Sequence, residues 1–365
     1  MRLIYLAPLN WSSFAQRPHM FVRWFHEKYQ SPVLWVNPYP TRFPSWGDFK
    51  RIAKSPDECS TEVPDWLEII SPKSLPIEPL VGSQLIHYFL WQNLISQMRK
   101  FATQEKTLLA IGKPSELALQ SIAALPDCSS FYDAMDDYPQ FYSGLSRAAF
   151  VRREQSVVKK ADYMAVSSSQ LKAKWSHIRD DINLVHNALA SDLFLPVTPK
   201  ATGNRQIVLG YLGTIAQWYD WDWVLRLAEL FPSYILRLVG PLYESLPNNL
   251  PSNVEILPAC DHASAINTMK QFDIGLIPFK KNKLTASVDP IKFYEYRALG
   301  IPVIATDFGE MLEYQSQPGL FLSRSKSDIE AQVNAALSYA DSLESREKFI
   351  AENTWTRRFD LLRFE

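Results

Sequence analysis

Residues 273–307 read DIGLIPFKKNKLTASVDPIKFYEYRALGIPVIATD. The run IGLIPF is apolar and short, which reads as a strand buried on both faces. A polar loop with Lys280, Lys281 and Lys283 follows it. Asp289 and Pro290 then open a helix, as N-cap and first-turn residues. Lys292 lies in that first turn, and Glu295 stands three residues on, near the same face. The next apolar run, 302–305, is again a strand. Strand, helix and strand in this order make a parallel unit with a right-handed crossover.

The same alternation extends in both directions. Downstream, a helix is expected over 327–340, and the segment SREKFIAENTWTRRFDLLRF is amphipathic and helical. Upstream, strands at 207–212, 234–239 and 254–257 alternate with helices at 220–230 and 261–271. The first half repeats the pattern, with strands at 2–7, 33–36, 107–111, 129–133 and 162–166. Its helices fall at 18–29, 84–104, 115–124, 145–160 and 168–175. Residues 37–80, rich in proline, tryptophan and charge, read as a long excursion. Residues 183–205 carry two prolines, a glycine and little periodicity, and read as the interdomain linker. The expectation is an α/β protein of two Rossmann-like, doubly wound parallel-sheet domains, 1–185 and 186–345, with a cleft between them.

Composition narrows the function classes. A chain of 365 residues with 47% hydrophobic residues can bury two cores. A net charge of −1 argues against a nucleic-acid partner, which would call for a basic field. Cys59, Cys128 and Cys260 are odd in number and fit no zinc or disulfide spacing, so a cytoplasmic setting is expected. The start, MRLIYLAPLNWSSF, lacks the pattern of a secretory signal, and no apolar stretch reaches the length of a membrane span. The histidines show no ligand spacing, so no metal is assigned.

The helix opened by Asp289 and Pro290 has chemistry of its own. Free amides at a helix start favour a phosphate, and Lys292 adds a point charge. A carboxylate one turn deeper, Glu295, can accept from the vicinal hydroxyls of a ribose. Together they fit a nucleoside diphosphate. A capped helix with an exposed Lys–Glu pair accounts for the same residues without a ligand.

The motif P-x-K-x-x-E-Y-x-A-x-G-x-P-V, as it stands from Pro290, resembles the donor-binding motif of GT-B glycosyltransferases that build bacterial surface polysaccharides. GYLGTIAQWYDWDWV (210–224), RLVGP (237–241), VEILPACDHASAINTMKQFDIGLIPF (254–279) and LVHNALASDLF (184–194) are similar to further family segments in the family's order. The resemblance implies a GT-B fold, in which the helical segment 346–365 crosses back to the first domain. It implies Glu295 on the donor ribose and Lys292 on phosphate, with Gly213 and Thr214 offering amides to the pyrophosphate. The loop from Pro258 would frame the base. Two departures stand out. The first glutamate of the family's E-x7-E pair is Ser287, and an Arg/Lys pair is replaced around Gln217, Trp218 and Tyr219. Phosphate charge then falls to Lys292 or to the lysines from Lys280. A subgroup of wall, capsule and exopolysaccharide transferases, the teichuronic acid type among them, shares both departures.

In the first half, FYDAMDDYPQF (131–141) ends a strand on Asp133, with Asp136 and Asp137 following. Carboxylates crowded at a strand's end repel one another, which raises a pKa and suits a general base. The segment resembles the subgroup's Y-D-x-x-D-D stretch, which implies an aspartate base. Asp137 comes first as candidate, then Asp136, with Asp133 behind them. An Asx cap with solvated neighbours is the alternative for each. SSFAQRPHMFVRWF (12–25) has no glycines where a nucleotide site would need them, so this half is not the nucleotide half. It is similar to the subgroup's Q-R-P-H start, and Arg17 and His19 could meet an acceptor phosphate or a sugar. A packed structural histidine is an equal reading of His19.

Along 84–101, Leu85, Phe89, Gln92, Leu94, Ile95 and Met98 share a helix that ends in Arg99 and Lys100. Core packing is the first reading; docking on a membrane surface, because aromatic and basic residues share the helix, is the second. The resemblance implies transfer of a sugar from a nucleotide sugar, UDP-linked, to a saccharide or lipid-linked acceptor. It implies no cofactor and no catalytic metal, and a place at the inner face of the plasma membrane. A UDP-sugar 2-epimerase and a non-catalytic binding module share the fold and stand as alternatives.

Overall fold

Apolar runs of four to six residues cannot satisfy their backbone polar groups alone, and in this chain they do so in two parallel sheets. The computed structural model describes residues 1–13, 15–41, 63–80, 82–190 and 205–364. Much of the excursion at 37–80, most of the linker at 183–205, and Cys59 lie outside the described residues. The chain divides into two compact units, Met1–Val185 with Phe359–Glu365, and His186–Arg358.

In the first unit the elements run β1 (Arg2–Leu6), α1 (Arg17–Tyr29), β2 (Val33–Val36), β3 (Leu67–Ile70), α2 (Ser83–Leu90), α3 (Gln92–Ala102) and β4 (Thr107–Ile111). They continue with α4 (Glu116–Ala124), β5 (Ser129–Ala134), α5 (Gly144–Lys160), β6 (Tyr163–Val166), α6 (Ser169–Trp175) and β7 (Ile182–Leu184). The sheet order is β3-β2-β1-β4-β5-β6-β7, with all pairings parallel. Strand order therefore reverses between β1 and β4, which marks the switch point where such sheets bind ligands.

The helix expected over 84–104 is broken at Trp91, whose buried ring stacks on His87 at 4.6 Å and whose indole donates to the Lys73 carbonyl. Core packing holds for Leu94, Ile95 and Met98, but Leu85 and Phe89 face solvent. The strand β3 sits inside the stretch read as an excursion, and β7 inside the stretch read as linker. Both edge strands are short, and neither shows a clear period.

The second unit follows with β8 (Val208–Leu212), α7 (Trp221–Leu230), β9 (Ile235–Val239), β10 (Val254–Leu257), α8 (His262–Met269) and β11 (Ile274–Ile277). Then come α9 (Ile291–Ala298), β12 (Val303–Thr306), α10 (Gly309–Glu313), β13 (Leu320–Ser323), α11 (Ile329–Ser338), α12 (Leu343–Glu352) and α13 (Trp355–Phe359). Its order, β10-β9-β8-β11-β12-β13, puts the switch point between β8 and β11. Gly275 on β11 sets the depth of α9, since a Cβ there would lie 2.4 Å from the Tyr296 ring. With that ring against the sheet, the Tyr296 hydroxyl accepts from the Leu212 amide at 3.0 Å, so α9 lies across the end of β8.

Past Arg358 the chain packs on the first unit. Phe359 meets Phe21 edge-on at 5.3 Å, Phe364 meets Phe131 at 5.1 Å, and the Trp24 indole donates to Asp360.

Candidate functional site

The ends of β8 and β9 meet at two glycines, Gly213 and Gly240. Gly240 has φ 144°, and a Cβ there would lie 2.1 Å from the Gly213 carbonyl oxygen, so only glycine allows the approach. The Gly213 amide donates to Val239, which removes it from the donors expected to face a pyrophosphate. Thr214 differs. Its carbonyl accepts from the Tyr211 hydroxyl at 2.8 Å and the Trp218 indole at 3.2 Å, while its amide has no partner among the described residues.

The loop after β8 is laced to the loop after β11. The Lys280 amide donates to Trp218, the Asp220 amide donates to Pro278, and Tyr219 bridges Phe279. Trp218 and Lys280 therefore share one rim at the switch point. The Lys280 ammonium stays partly exposed, 3.3 Å from the Gln217 carbonyl and 3.9 Å from Glu244. Lys281 is committed elsewhere, to Asp307 and the Arg324 carbonyl.

On α9, Lys292 and Glu295 pair with each other in the first turn and a half. The amides of Ile291 and Lys292 have no backbone acceptor among the described residues, as the start of a helix dictates. Donors, a cation and a carboxylate thus sit together beside the end of β8.

Asp289 does not cap this helix; Pro290 occupies the cap position in an extended conformation. The Asp289 carboxylate is buried and accepts from the Asn187 amide at 2.6 Å and the Tyr294 hydroxyl at 3.0 Å. Burial pushes its pKa up to about 6, against the pull of His186 and the Asn187 bond. The Asn187 side chain returns a bond to the Asp289 carbonyl at 2.6 Å. Asp289 is therefore structural, anchoring the stretch at Asn187. His186 beside it pairs with the buried Glu310 at 3.0 Å. Pro258 is exposed at the end of the edge strand β10, two strands from the switch point. Ser287 is buried, and its hydroxyl has no hydrogen-bond partner among the described residues.

In the first unit the three aspartates part company. Asp133, at the end of β5, is fully buried, and Arg17 grips both its oxygens at 2.7 and 2.9 Å. The same guanidinium donates to the Val185 carbonyl at 2.7 Å. This is a buried structural ion pair, so neither Arg17 nor Asp133 is offered to an acceptor. Asp137 accepts from Lys174 at 2.8 Å and from Gln140 at 3.2 Å. Lys174 also holds Glu154 at 2.7 Å, and Glu154 accepts from Tyr132. Burial raises the Glu154 pKa to about 7 despite Lys174.

Asp136 is half-buried and makes no hydrogen bond to a protein group among the described residues. Burial pushes its pKa from 3.8 to about 7; Arg17 opposes the rise, while Asp133 and Asp137 add to it. A carboxyl that is unengaged, near water and half-ionised at neutral pH has the properties a general base needs.

His19 is buried between Trp11 and Trp35, with ring centroids 5.0 and 5.2 Å away. Its Nδ1 accepts from the Gln16 amide and its Nε2 donates to the Trp11 carbonyl, which fixes the neutral tautomer. Burial pushes its pKa down to about 4. The packed, structural reading of His19 is the one this geometry carries, and both ring nitrogens are used within the unit.

Comparison with known proteins adds to this geometry. Sucrose-phosphate synthase from Thermosynechococcus elongatus superposes with a TM-score of 0.67 at 13% identity, covering 99% of this chain and 97% of its own. Anabaena Alr3699/HepE, solved in complex with UDP and glucose, gives 0.64 at 13% identity, covering 99% and 98%. The chain has the GT-B fold. No sequence-family profile matches it. A Bacillus subtilis (strain 168) protein named for a proposed role in teichuronic acid biosynthesis, the glycosyltransferase TuaH, is 27% identical over 198 residues. That alignment covers 50% of this chain and 49% of TuaH, so the chain spans about half the length of the curated relative it matches.

Within the GT-B frame, the site residues fall into groups. Thr214, Trp218, Lys280, Lys292 and Glu295 gather at or beside the β8–β11 switch point. Gly213 shapes the turn there, its amide already given to the Val239 carbonyl. Arg17, His19, Asp133 and Asp289 are each bonded to groups of their own unit, and Pro290 stands at the cap of α9. Lys174 and Glu154, which hold Asp137, were missed by sequence reasoning; a lone lysine on α6 and a mid-helix glutamate carry no motif. Among the described residues no group of three or more His, Cys, Asp or Glu side chains is placed to hold a metal ion, and no helix is long and apolar enough to cross a membrane.

Proposed function

We propose that this chain transfers a glycosyl unit from a UDP-sugar to a saccharide or lipid-linked saccharide of a bacterial envelope polymer, at the cytoplasmic face of the membrane. The observation that carries the reading is the Lys292–Glu295 pair on the first turn of α9, laid across the end of β8 at the switch point of the second sheet. Lys292 would turn from Glu295 to the diphosphate, joined by the Ile291 and Lys292 amides, and Glu295 would accept from the ribose hydroxyls. The UDP and glucose bound to HepE, and the glycosyltransferase name of TuaH, support the substrate class.

In the first unit, Asp136 is the proposed base, ahead of Asp137, whose oxygens are taken by Lys174 and Gln140. Asp136 removes the proton of the acceptor hydroxyl as that oxygen bonds to the anomeric carbon. The bond from that carbon to the diphosphate breaks, and UDP leaves with both bonding electrons. Lys292 and the helix start take up the charge that develops on the departing phosphate. On this reading no metal is required.

Calorimetry with UDP, followed by UDP-sugars with and without saccharide acceptors, tests the proposal. UDP should bind without divalent metal, and UDP should be released from one UDP-sugar only when an acceptor is present. Conversion of a UDP-sugar to its epimer without acceptor would show an isomerase instead. Absence of binding to any nucleoside diphosphate would end the enzyme reading.

A further inference from the structure

Both sheets reverse their strand order, and each has a helix start at the reversal. In the second unit that helix is α9, which follows β11, the neighbour of β8. In the first unit its counterpart is α4, which follows β4, the neighbour of β1. A helix start at the carboxyl end of such a strand is where these sheets hold an oxyanion. The two starts differ in what their amides meet. On α9 the Ile291 and Lys292 amides have no backbone acceptor among the described residues. On α4 the three leading amides are all taken. Glu116 donates to the Glu78 carboxylate at 3.0 Å, Leu117 to the Tyr39 hydroxyl at 3.1 Å and Ala118 to the Ser115 hydroxyl at 3.2 Å.

Glu78 reaches this helix from 38 residues upstream and is 1% exposed. The Arg153 guanidinium lies 3.2 Å from its Oε1, and Arg153 and the Ser83 hydroxyl both donate to its carbonyl, which pins the segment in place. Burial raises the Glu78 pKa above the ordinary carboxylate range, and Arg153 opposes the rise most, with Lys113 adding to the pull. Its Oε2 is buried with no hydrogen-bond partner among the described residues. A helix amide and a guanidinium converging on a buried anion make the donor set of a phosphate site. A cleft opens beside it at the ends of β1 and β2, lined by Tyr39, Thr41, Lys113 and Ser115. The Thr41 hydroxyl in its wall is buried and also has no partner among the described residues.

We propose that Glu78 is a built-in oxyanion, filling in the first unit the place that a diphosphate takes in the second and so keeping nucleotide out of the first unit. The comparison with α9 rests on the donor-site reading given above; the filled start of α4 does not. A carboxylate that merely caps the helix would leave nothing behind when removed. One that stands in for a phosphate leaves an oxyanion site, with Arg153, Lys113 and the Glu116 amide around it.

The test is chemical rescue of the full chain by inorganic phosphate, with sodium chloride at equal ionic strength as the reference. Glu78→Gly removes as many heavy atoms as an orthophosphate contains. In chloride this variant should melt below the wild type, because Arg153 loses its buried partner. Saturating phosphate should raise its melting temperature by about 5–10 °C more than it raises that of the wild type. Equilibrium dialysis should find a further equivalent of bound phosphate in the variant. Glu78→Gln keeps both the volume and an acceptor for the Glu116 amide, so it should gain no phosphate. If Glu78→Gly does not fold in chloride, its refolding yield should recover in phosphate. A variant that gains nothing from phosphate, in melting or in refolding, would overturn the proposal. An equal gain in Glu78→Gln would do the same, since loss of charge alone would then account for it. UDP calorimetry on the wild type reads α9 separately, so the donor-site reading can fail while the Glu78 result stands, and the reverse.

Discussion

Asp136→Asn should make the first unit more stable at alkaline pH while removing turnover. Between its ordinary 3.8 and its raised value near 7, the folded Asp136 keeps a proton that the unfolded chain has lost. The folded state therefore binds more protons in that window, and stability falls as pH rises through it. A rise from 3.8 to about 7 corresponds to about 4 kcal/mol at pH 8 as a ceiling. The carboxyl is only half-buried, so relaxation and nearby water reduce this to about 1–3 kcal/mol. Asparagine carries no such penalty. Urea unfolding followed by tryptophan fluorescence at about pH 4 and pH 8 reads the difference. The gain should be present at pH 8 and shrink to well under about 1 kcal/mol near pH 4. Turnover should fall by about 10²- to 10⁴-fold with UDP affinity unchanged. In the wild type, kcat/KM should rise with pH through about 7 as Asp136 ionises. A stability gain independent of pH, or a variant with full turnover, would refute the assignment.

Arg17→Met should cost about 3–5 kcal/mol by stranding the Asp133 charge in the core, and Arg17→Met with Asp133→Leu should recover much of it in a thermal melt. Unchanged stability in the single variant would return Arg17 to an acceptor role. The His19 pKa of about 4 lies below its ordinary 6.5, so its contribution is full above pH 6.5 and lost as pH falls toward 4. His19→Asn should accordingly flatten the acid limb of the stability profile, and an unaltered limb would contradict the buried neutral ring. Lys292→Gln and Glu295→Ala should each weaken UDP binding by about tenfold or more, measured by calorimetry. Turnover should persist in excess EDTA; its loss, with recovery on adding a divalent ion, would contradict the metal-free chemistry.

The alternation of strands and helices was legible because most strands here are buried on both faces and read as plain apolar runs between amphipathic helices. The strands that escaped notice, β3 and β7, lie at sheet edges, where LEII and INL carry no more apolar signal than a loop. Helix α10 and strand β13 were likewise too short to show a period. For the donor half, the spacing of Lys292 and Glu295 was visible because three residues on a helix bring side chains together whatever the rest of the fold does. Asp289 was misread because Asp-Pro before a helix is a common capping signal, while its true partners, Asn187 and Tyr294, come from the far end of the unit's sequence and from the helix itself. The first half was harder. Whether Asp133, Asp136 or Asp137 is free depends on Arg17 and Lys174, which lie 116 and 37 residues away from the aspartates they hold. Only the folded structure brings those charges together. Helix α2 posed the opposite problem, since its apolar residues promised a core that the inward-facing His87 denies them.

A structure of the chain with UDP bound tests the donor site most directly. Lys292 should leave Glu295 for the diphosphate, Glu295 should accept from the ribose hydroxyls, and the Thr214 amide should face the phosphates at the end of β8. A diphosphate bound elsewhere, with the Lys292–Glu295 pair still closed, would contradict the assignment of the second unit as the nucleotide half.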